Sequence, residues 1–426
     1  MEALKRAALP ALAFILVPLL VAGSGAARGG FRIDEAHKIA QTALVHAWPH
    51  PRDPAWTQTI SDRTDPPVGK YVFALAIVAS GGRVPALPTL GGYAPDGVVP
   101  GMFPAEVTRH YDACLPAARG ASTLAMALTA ALVAWCAARA GGTFGALAAM
   151  ALFLTNYATQ LLWATAVFDP LLALFATLSL ALAASPRARS TGAMIAAGVV
   201  GALAFQTRLN GALFFAVTLA VMLPRARARA AAAVAAFVAV TLAVNPYYWP
   251  DPPARFAAQI ADASHLLALM PARLTTLGAK WRFFAETVGG DVAGLLLLAA
   301  ALAGTLVLAL RWRALSEAAR LTGVWCAAAI VVFVVWLPVA WPRYILATVP
   351  PLCCLAAIGC GAFQRAITSS VTFMRRSMAS TITAATSCGS MKPARRSVQN
   401  GVSIPPGATL TMRAFVPFAS ARSASL

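Results

Sequence analysis

Four small groups of ionisable residues interrupt a chain otherwise dominated by apolar runs, and each has a chemistry it could perform. Asp34-Glu35 stands just after the first apolar run. A carboxylate there can take a proton from a hydroxyl as a general base; Asp34 can equally cap a helix whose first turn favours an acid such as Glu35. Spacing alone does not choose between these roles. Asp65-Pro66-Pro67-Val68-Gly69-Lys70-Tyr71 places an acid and a lysine on either side of two prolines. The prolines fix the backbone in an extended form and hold Asp65 and Lys70 rigidly apart. Taken alone, the same segment is an interfacial turn with a snorkelling lysine. Asp169-Pro170 lies inside a long apolar run, where a carboxylate needs a partner or water unless it caps a helix that starts at the proline. Finally, Arg208, in Thr207-Arg208-Leu209-Asn210, and Arg343-Tyr344 occupy tight connections between apolar runs. Guanidinium forks suit phosphate oxygens, so these arginines are candidates for an anionic lipid head group.

The elements that must position these groups are membrane helices. The 426 residues are 59% hydrophobic and 12% charged, with a mean hydropathy of +0.70, whereas soluble domains carry about a quarter charged residues. Apolar stretches of about 17–22 residues lie between the charged runs, long enough to cross hydrocarbon as helices. Lipid offers the backbone no partners and no alternating strands are present, so the expected fold is all-α, a polytopic transmembrane bundle of about ten helices. Spans are expected near 7–25, 121–138, 143–160, 164–184, 191–207, 210–223, 230–247, 291–310, 321–340 and 343–363. Met1–Gly30, with Lys5 and Arg6 before its apolar run, is expected to stay as an uncleaved first helix rather than a signal peptide.

With the N-terminus placed inside, Lys5 and Arg6, Arg139, Arg187 and Arg189, Arg225, Arg227 and Arg229, and Arg311, Arg313 and Arg320 all come out on the cytoplasmic side. Their agreement follows the positive-inside rule. The expected location is therefore the inner (plasma) membrane, with a cytoplasmic N-terminus and the candidate site on the periplasmic or extracellular face. Residues 1–363 form the transmembrane domain, with external loops at about 27–120 and 246–290. In the first loop, Ala36, Ile39, Ala40, Ala43, Leu44 and Ala47 repeat at helical spacing within Asp34–Trp48, an apolar stripe suited to lying on the membrane surface. Val68–Ser80 is too short to read as a span. In the second loop, the aromatics of Asn245-Pro246-Tyr247-Tyr248-Trp249-Pro250 read as an interfacial belt. Residues 364–426 contain no acidic residue and no sustained period. They are expected to form a basic, disordered cytoplasmic tail, with the character of a frame-shifted or truncated extension.

The formal net charge of +19 sits at span ends and on no foldable soluble domain, so nucleic acid is excluded as a partner. Cys136, Cys326, Cys353, Cys354 and Cys360 fall inside apolar runs, where cysteine acts as a small hydrophobe. His37, His46, His50 and His110 make no persuasive metal site, so no metal ligand is assigned, although a divalent cation is not excluded by the sequence.

Acids and cations therefore gather at one outer face. Glycosyl transfer from a polyprenyl-phosphate sugar fits such a site: the donor tail stays in lipid, a carboxylate deprotonates the acceptor hydroxyl, and cations stabilise the departing phosphate. Two other classes fit a polytopic chain. A transporter or lipid flippase would place its charges near the midplane on broken helices in two related halves, and no such repeat is visible. An inactive relative would bind a lipid-linked sugar without transferring it.

The order of motifs resembles the membrane glycosyltransferases of the C-type fold, the superfamily of protein O-mannosyltransferases and lipid A aminoarabinose transferases. The matching residues are Ile33-Asp34-Glu35, Asp65-Pro66-Pro67-Val68-Gly69-Lys70 (similar to the family's His-Pro-Pro-Leu-Gly-Lys element), and Arg119 at the second span. Phe168-Asp169-Pro170, Asn245-Pro246 with Trp249-Pro250-Asp251-Pro252, and Arg343-Tyr344 follow in order. The resemblance runs through roughly residues 8–363 and implies a polyprenyl-phosphate-linked donor, transfer outside the cytoplasm and inversion at the anomeric carbon. It implies Asp34 as base, with Glu35 and Asp169 shaping the acceptor site. Asp65, Lys70, Arg208, Arg343 and Tyr344 are then substrate-binding candidates, with Lys70, Arg208 and Arg343 on the donor phosphate. The implied acceptor is a glycan, lipid or protein hydroxyl. Asp65 stands where the family has histidine, so that histidine's role does not transfer to it. With about ten spans and a basic tail, the chain is expected to lack the soluble C-terminal domain of some members, and acceptor recognition is expected to differ accordingly.

Overall fold

The computed structural model describes residues 2–24, 33–57, 63–85, 112–188, 190–270 and 272–388. His110 and the stretch after Ser24 lie outside the described residues, as do residues 389–426. Among the described residues the secondary structure is helical, with one isolated bridge between Arg273 and Val339.

Helix α1 (Glu2–Ser24) packs along α4 (Leu115–Thr155), and between them come α2 (Ile33–Ala40) and α3 (Pro67–Ala79). The run of α4 covers the segment expected at 121–138 and most of that expected at 143–160, whose end falls in the next helix. It breaks at Gly142, whose φ of +77° is open to glycine and strained for other residues. The chain thereby folds back on itself: the Thr123 hydroxyl donates to the Trp163 carbonyl at 3.0 Å across forty positions. Asn156 caps the short α5 (Tyr157–Leu162), its side chain accepting from Ala158 N. The bundle continues through α6 (Asp169–Ala183), α7 (Thr191–Phe205), α8 (Gly211–Ala226) and α9 (Ala230–Val244). Helices α10 (Pro252–Leu269) and α11 (Leu277–Val288) follow, capped by Asp251 and Thr276. The chain returns through α12 (Val292–Leu310), α13 (Glu317–Trp336), the single turn α14 (Pro342–Ile345) and α15 (Val349–Cys388).

Among the described residues, five helices are long and apolar enough to cross a membrane, and five more apolar segments, including α3, are shorter. The chain is a multi-pass membrane protein. Helix α15 forms the bundle centre: Cys353, Cys354, Ala356, Ala357 and Ile358 are fully buried. On α12, by contrast, Leu295, Leu302, Leu306 and Leu310 are exposed, as expected of a face turned to lipid, where apolar side chains need no cover.

The structure revises several sequence expectations. Asp169 does not lie within a span; it is the first residue of α6, with Pro170 just behind it, where proline costs no backbone donor. Span 321–340 ends at Trp336, because Pro338 and Pro342 interrupt it. The following strand-like segment instead bonds to the loop between α10 and α11 through Leu274 N to Pro338 O at 2.9 Å and Ala340 N to Ala272 O at 2.8 Å. The stripe at Ala36, Ile39, Ala40, Ala43, Leu44 and Ala47 is not on the membrane surface. Each of these residues is at most 2% exposed, packed against α3 and neighbouring elements. The second half of the stripe is a 3-10 helix, Gln41–Ala47. Of the expected aromatic belt, Tyr247 and Tyr248 are buried and only Trp249 is exposed. Helix α15 runs through residue 363 to Cys388. By contacts the chain divides into a unit Met1–Ser369 and a second unit Ser370–Leu426.

Candidate active site

All the site residues sit at one end of the bundle: α2 and the turn before α3, the starts of α4 and α6, the α7–α8 connection, and the segment after α13. Two prolines explain part of the placement. Pro66 is extended (φ −63°, ψ 160°) and starts α3 at Pro67, so Asp65 is held rigidly just outside the helix. Gly69 lets α3 close on the start of α6, since a β-carbon there would lie 2.4 Å from the Phe168 ring. A second tie runs from Val68 N to the Gln206 carbonyl at 2.8 Å, while the Gln206 side chain accepts from Asn245 Nδ2 at 3.0 Å.

Asp34 and Glu35, neighbours in sequence, meet opposite surroundings. The Asp34 side chain is 52% exposed, and its Oδ2 accepts from Arg343 Nη1. Glu35 is fully buried. Arg119 grips both of its oxygens, from Nε and Nη2, at 2.8 Å each, and Ala166 N donates to Oε1 at 2.8 Å. Glu35 thereby ties α2 to the start of α4 and to the loop before Asp169.

A second network runs through Lys38, Asp65, Arg208 and Asp169. Lys38 binds Asp65 Oδ2, and Gln41 Nε2 donates to the same oxygen at 3.3 Å. Arg208 bridges two acids, with Nη1 3.3 Å from Asp65 Oδ1 and Nη2 2.9 Å from Asp169 Oδ2. Burial would raise the Asp65 carboxyl, but Lys38, Arg208 and Lys70 outweigh it and hold the group well below the usual carboxylate range. Burial also lowers the Lys38 ammonium, against the pull of Asp65. His37 is pushed down to about 3 by burial and by Lys38, and its Nε2 is buried without a partner, so it adds no charge at neutral pH.

Several polar atoms in this cluster are buried and uncommitted: Asp169 Oδ1, Arg208 Nε, Arg343 Nε and Asn210 Nδ2. Such atoms are rare in folded proteins and call for a partner. A cavity of about 100 Å³ opens beside two of them, Arg208 and Asn210, and is lined also by Asp65, Leu267, Trp336 and Tyr344. The Arg343 guanidinium lies 4.4 Å from the Trp341 ring centroid and 5.8 Å from that of Tyr344, which fixes its plane. Among the described residues, Asp34, Asp65 and Asp169 pair with Arg343, Lys38 and Arg208, and Lys70 acts on Asp65 through its charge.

The structure thus brings together Asp34 with Arg343, and Asp65 with Arg208 and Asp169, and sets Tyr344 at the cavity wall. Lys70 is fully buried and acts on the cluster through its charge. Lys38 and Gln41 escaped the sequence reading. Lys38 sits one turn after Asp34 on a helix read as amphipathic, and nothing local betrays a partner 27 positions away. Among the described residues no group of three or more His, Cys, Asp or Glu side chains converges as a metal would require.

No protein-family model matches the chain. No curated protein matches it either. Two solved structures do, both of ArnT from Cupriavidus metallidurans. One is the apo state, with a TM-score of 0.51 and 18% identity; the other is bound to undecaprenyl phosphate, with a TM-score of 0.53 and 17% identity. The fold is that of ArnT. Each match covers 82% of this chain and 59% of the ArnT chain, so this chain spans about three fifths of ArnT's length. The shared part is the polytopic helical architecture, the scaffold that gathers the loops and helix ends described above.

Proposed function

We propose that this protein transfers a sugar from a polyprenyl-phosphate-linked donor to an acceptor hydroxyl on the non-cytoplasmic face of the inner membrane. The observation that carries this reading is the pairing of a half-exposed carboxylate, Asp34, with Arg343, whose Nε remains uncommitted and whose guanidinium lies against Tyr344, a wall of the cavity that Arg208 also lines. In the reaction, the acceptor oxygen attacks the anomeric carbon from the side opposite the phosphate. The bond from that carbon to the phosphate oxygen breaks, polyprenyl phosphate leaves, and Asp34 receives the hydroxyl proton. One displacement inverts the anomeric carbon. Arg343 and Arg208 offer N–H groups to the phosphate as charge develops on it, and Tyr344 and Trp336 supply the wall. Lys38 and Asp65 hold Arg208 in place, and the Glu35–Arg119 clamp fixes the helix that presents Asp34.

The family resemblance of the motifs and the shared ArnT fold support this reading, as does ligation of undecaprenyl phosphate in one ArnT structure. The outer placement follows from the arginines at the opposite helix ends under the positive-inside rule. Proteoliposomes holding the purified chain and a radiolabelled polyprenyl-phosphate sugar test it. Label should move to a glycan, lipid or protein acceptor with release of polyprenyl phosphate. Intact donor in the presence of all three acceptor classes would overturn the assignment.

A further inference from the structure

An apolar groove of about 530 Å³ lies between α8 and α13, and none of its lining residues takes part in the proposed reaction. Its hollow comes from small side chains. Ala216 and Ala220, one turn apart on α8, line it together with Ala328 of α13, and alanine leaves space that a larger residue would fill. From Leu321 to Val332 the groove runs about 17 Å along α13. That is close to half of a hydrocarbon core of roughly 30 Å, the depth that one phospholipid acyl chain fills, and it is far shorter than a polyprenyl chain.

One end of the groove carries charge. Trp312, in the turn before α13, and Pro224, near the end of α8, both belong to its lining. The Arg320 guanidinium lies 5.7 Å from the Trp312 ring centroid. Stacking of that kind occupies a guanidinium's face and leaves its edge for an oxyanion. Arg311 and Arg313 flank Trp312 in the chain and are exposed, and Pro224 is followed by Arg225, Arg227 and Arg229. Within Arg311–Arg320 the acid is Glu317, which already has an interaction partner of its own. Arginine at a helix end is an ordinary membrane anchor. Here the arginines gather at a tryptophan that is itself part of the groove, so a cationic rim and an apolar trough meet at one residue. The other end of α13, at Trp336, borders the candidate active site.

We propose that the groove and its rim bind one anionic phospholipid from the leaflet opposite the candidate active site. Its phosphate lies on the edge of Arg320, Arg311 and Arg313 add positive charge beside it, and one acyl chain lies between α8 and α13. The purified, delipidated full chain should be titrated with phosphatidylglycerol, with phosphatidylcholine of the same acyl chains, and with soluble glycerophosphoglycerol. Native mass spectrometry and melting temperature follow the bound lipid. Phosphatidylglycerol should raise Tm and bind about tenfold more tightly than phosphatidylcholine, whose choline cation offsets its phosphate. The soluble head group should bind far more weakly, because it leaves the groove empty. Arg320→Gln should remove most of the preference for phosphatidylglycerol. Ala220→Phe fills the trough from an exposed position and leaves the arginines in place. It should weaken both phospholipids, and it keeps the test open if the arginine variant does not insert. Equal binding of the two phospholipids by the unaltered chain would overturn the proposal, as would indifference to both Arg320→Gln and Ala220→Phe. Loss of polyprenyl phosphate binding in Ala220→Phe, with phosphatidylglycerol binding kept, would hand the groove to the donor's chain instead.

Discussion

Arg343 binds the carboxylate of Asp34 across 309 positions of sequence, joining the turn after α13 to the start of α2. The contact orients one Asp34 oxygen and leaves the rest of a half-exposed carboxylate free to meet a hydroxyl. Asp34→Asn keeps the shape and a hydrogen bond to Arg343 but cannot accept the proton. We expect transfer to fall by roughly 10²–10⁴-fold, the contribution of a positioned base, with membrane insertion and Tm unchanged. Steady-state kinetics in proteoliposomes measure this, and full activity in the Asp34→Asn variant would remove the base.

Arg343 itself is assigned to the donor phosphate as well as to Asp34. Arg343→Ala should raise the donor KM about tenfold and leave the acceptor KM within error. Kinetics with the two substrates varied in turn separate these effects. An unchanged donor KM would confine Arg343 to orienting Asp34.

His37 makes stability depend on pH in a stated window. Its imidazole titrates near 3 in the folded chain and near 6.5 when unfolded. The unfolded state therefore takes up a proton that the folded state refuses as pH drops from about 6.5 toward 3, so stability falls with acidification across that range. The loss from Asp65, whose folded value is depressed, begins only as pH falls through its unfolded value near 3.9. Melting temperatures in detergent between pH 7 and pH 5 isolate the histidine, and His37→Gln should flatten the slope. An identical slope in that variant would show that other groups govern the window.

The helices are legible in the sequence because lipid imposes length and apolarity on any span, so each of the ten expected segments overlaps at least one helix. Asp34, Asp65, Asp169, Arg208 and Arg343 stand out for a related reason: charge beside apolar runs is costly and therefore conspicuous. Pairing is not legible. Asp65 meets Lys38 and Arg208 across 27 and 143 positions, and no local pattern encodes such contacts. The Ala36–Ala47 stripe reads as a membrane-surface helix yet packs inside the protein, because a helical apolar face has the same signature whether it meets lipid or protein. The turn at Gly142 is legible, by contrast, since it falls in the gap at Arg139–Gly142 between the spans expected at 121–138 and 143–160.

Gly69 is a test of how closely α3 must approach the start of α6. Its missing β-carbon would fall 2.4 Å from the Phe168 ring, and Phe168 is itself fully buried between Phe73 and Lys38. Gly69→Ala should cost about 1–3 kcal/mol of overpacking and push Lys70 and Asp65 away from Arg208. Both Tm and transfer rate should drop. A Tm equal to that of the unaltered chain would mean that Phe168 yields freely and that the approach is not constrained.

Arg208 has the largest expected effect on the fold of the site, because it neutralises two acids at once. With Asp65 and Asp169 both nearly inaccessible, Arg208→Ala leaves Asp169 without a charge partner, and removing one member of a buried pair costs about 3–5 kcal/mol. Arg208→Ala combined with Asp169→Asn removes the orphaned charge and should recover a substantial part of that loss, while transfer stays absent because the phosphate has lost a donor. Thermal melting and proteoliposome kinetics on the two single variants and the double variant give the coupling. Strict additivity of the stability losses would show that the 2.9 Å contact between Arg208 and Asp169 contributes nothing, and recovery of transfer in the double variant would take Arg208 off the donor phosphate.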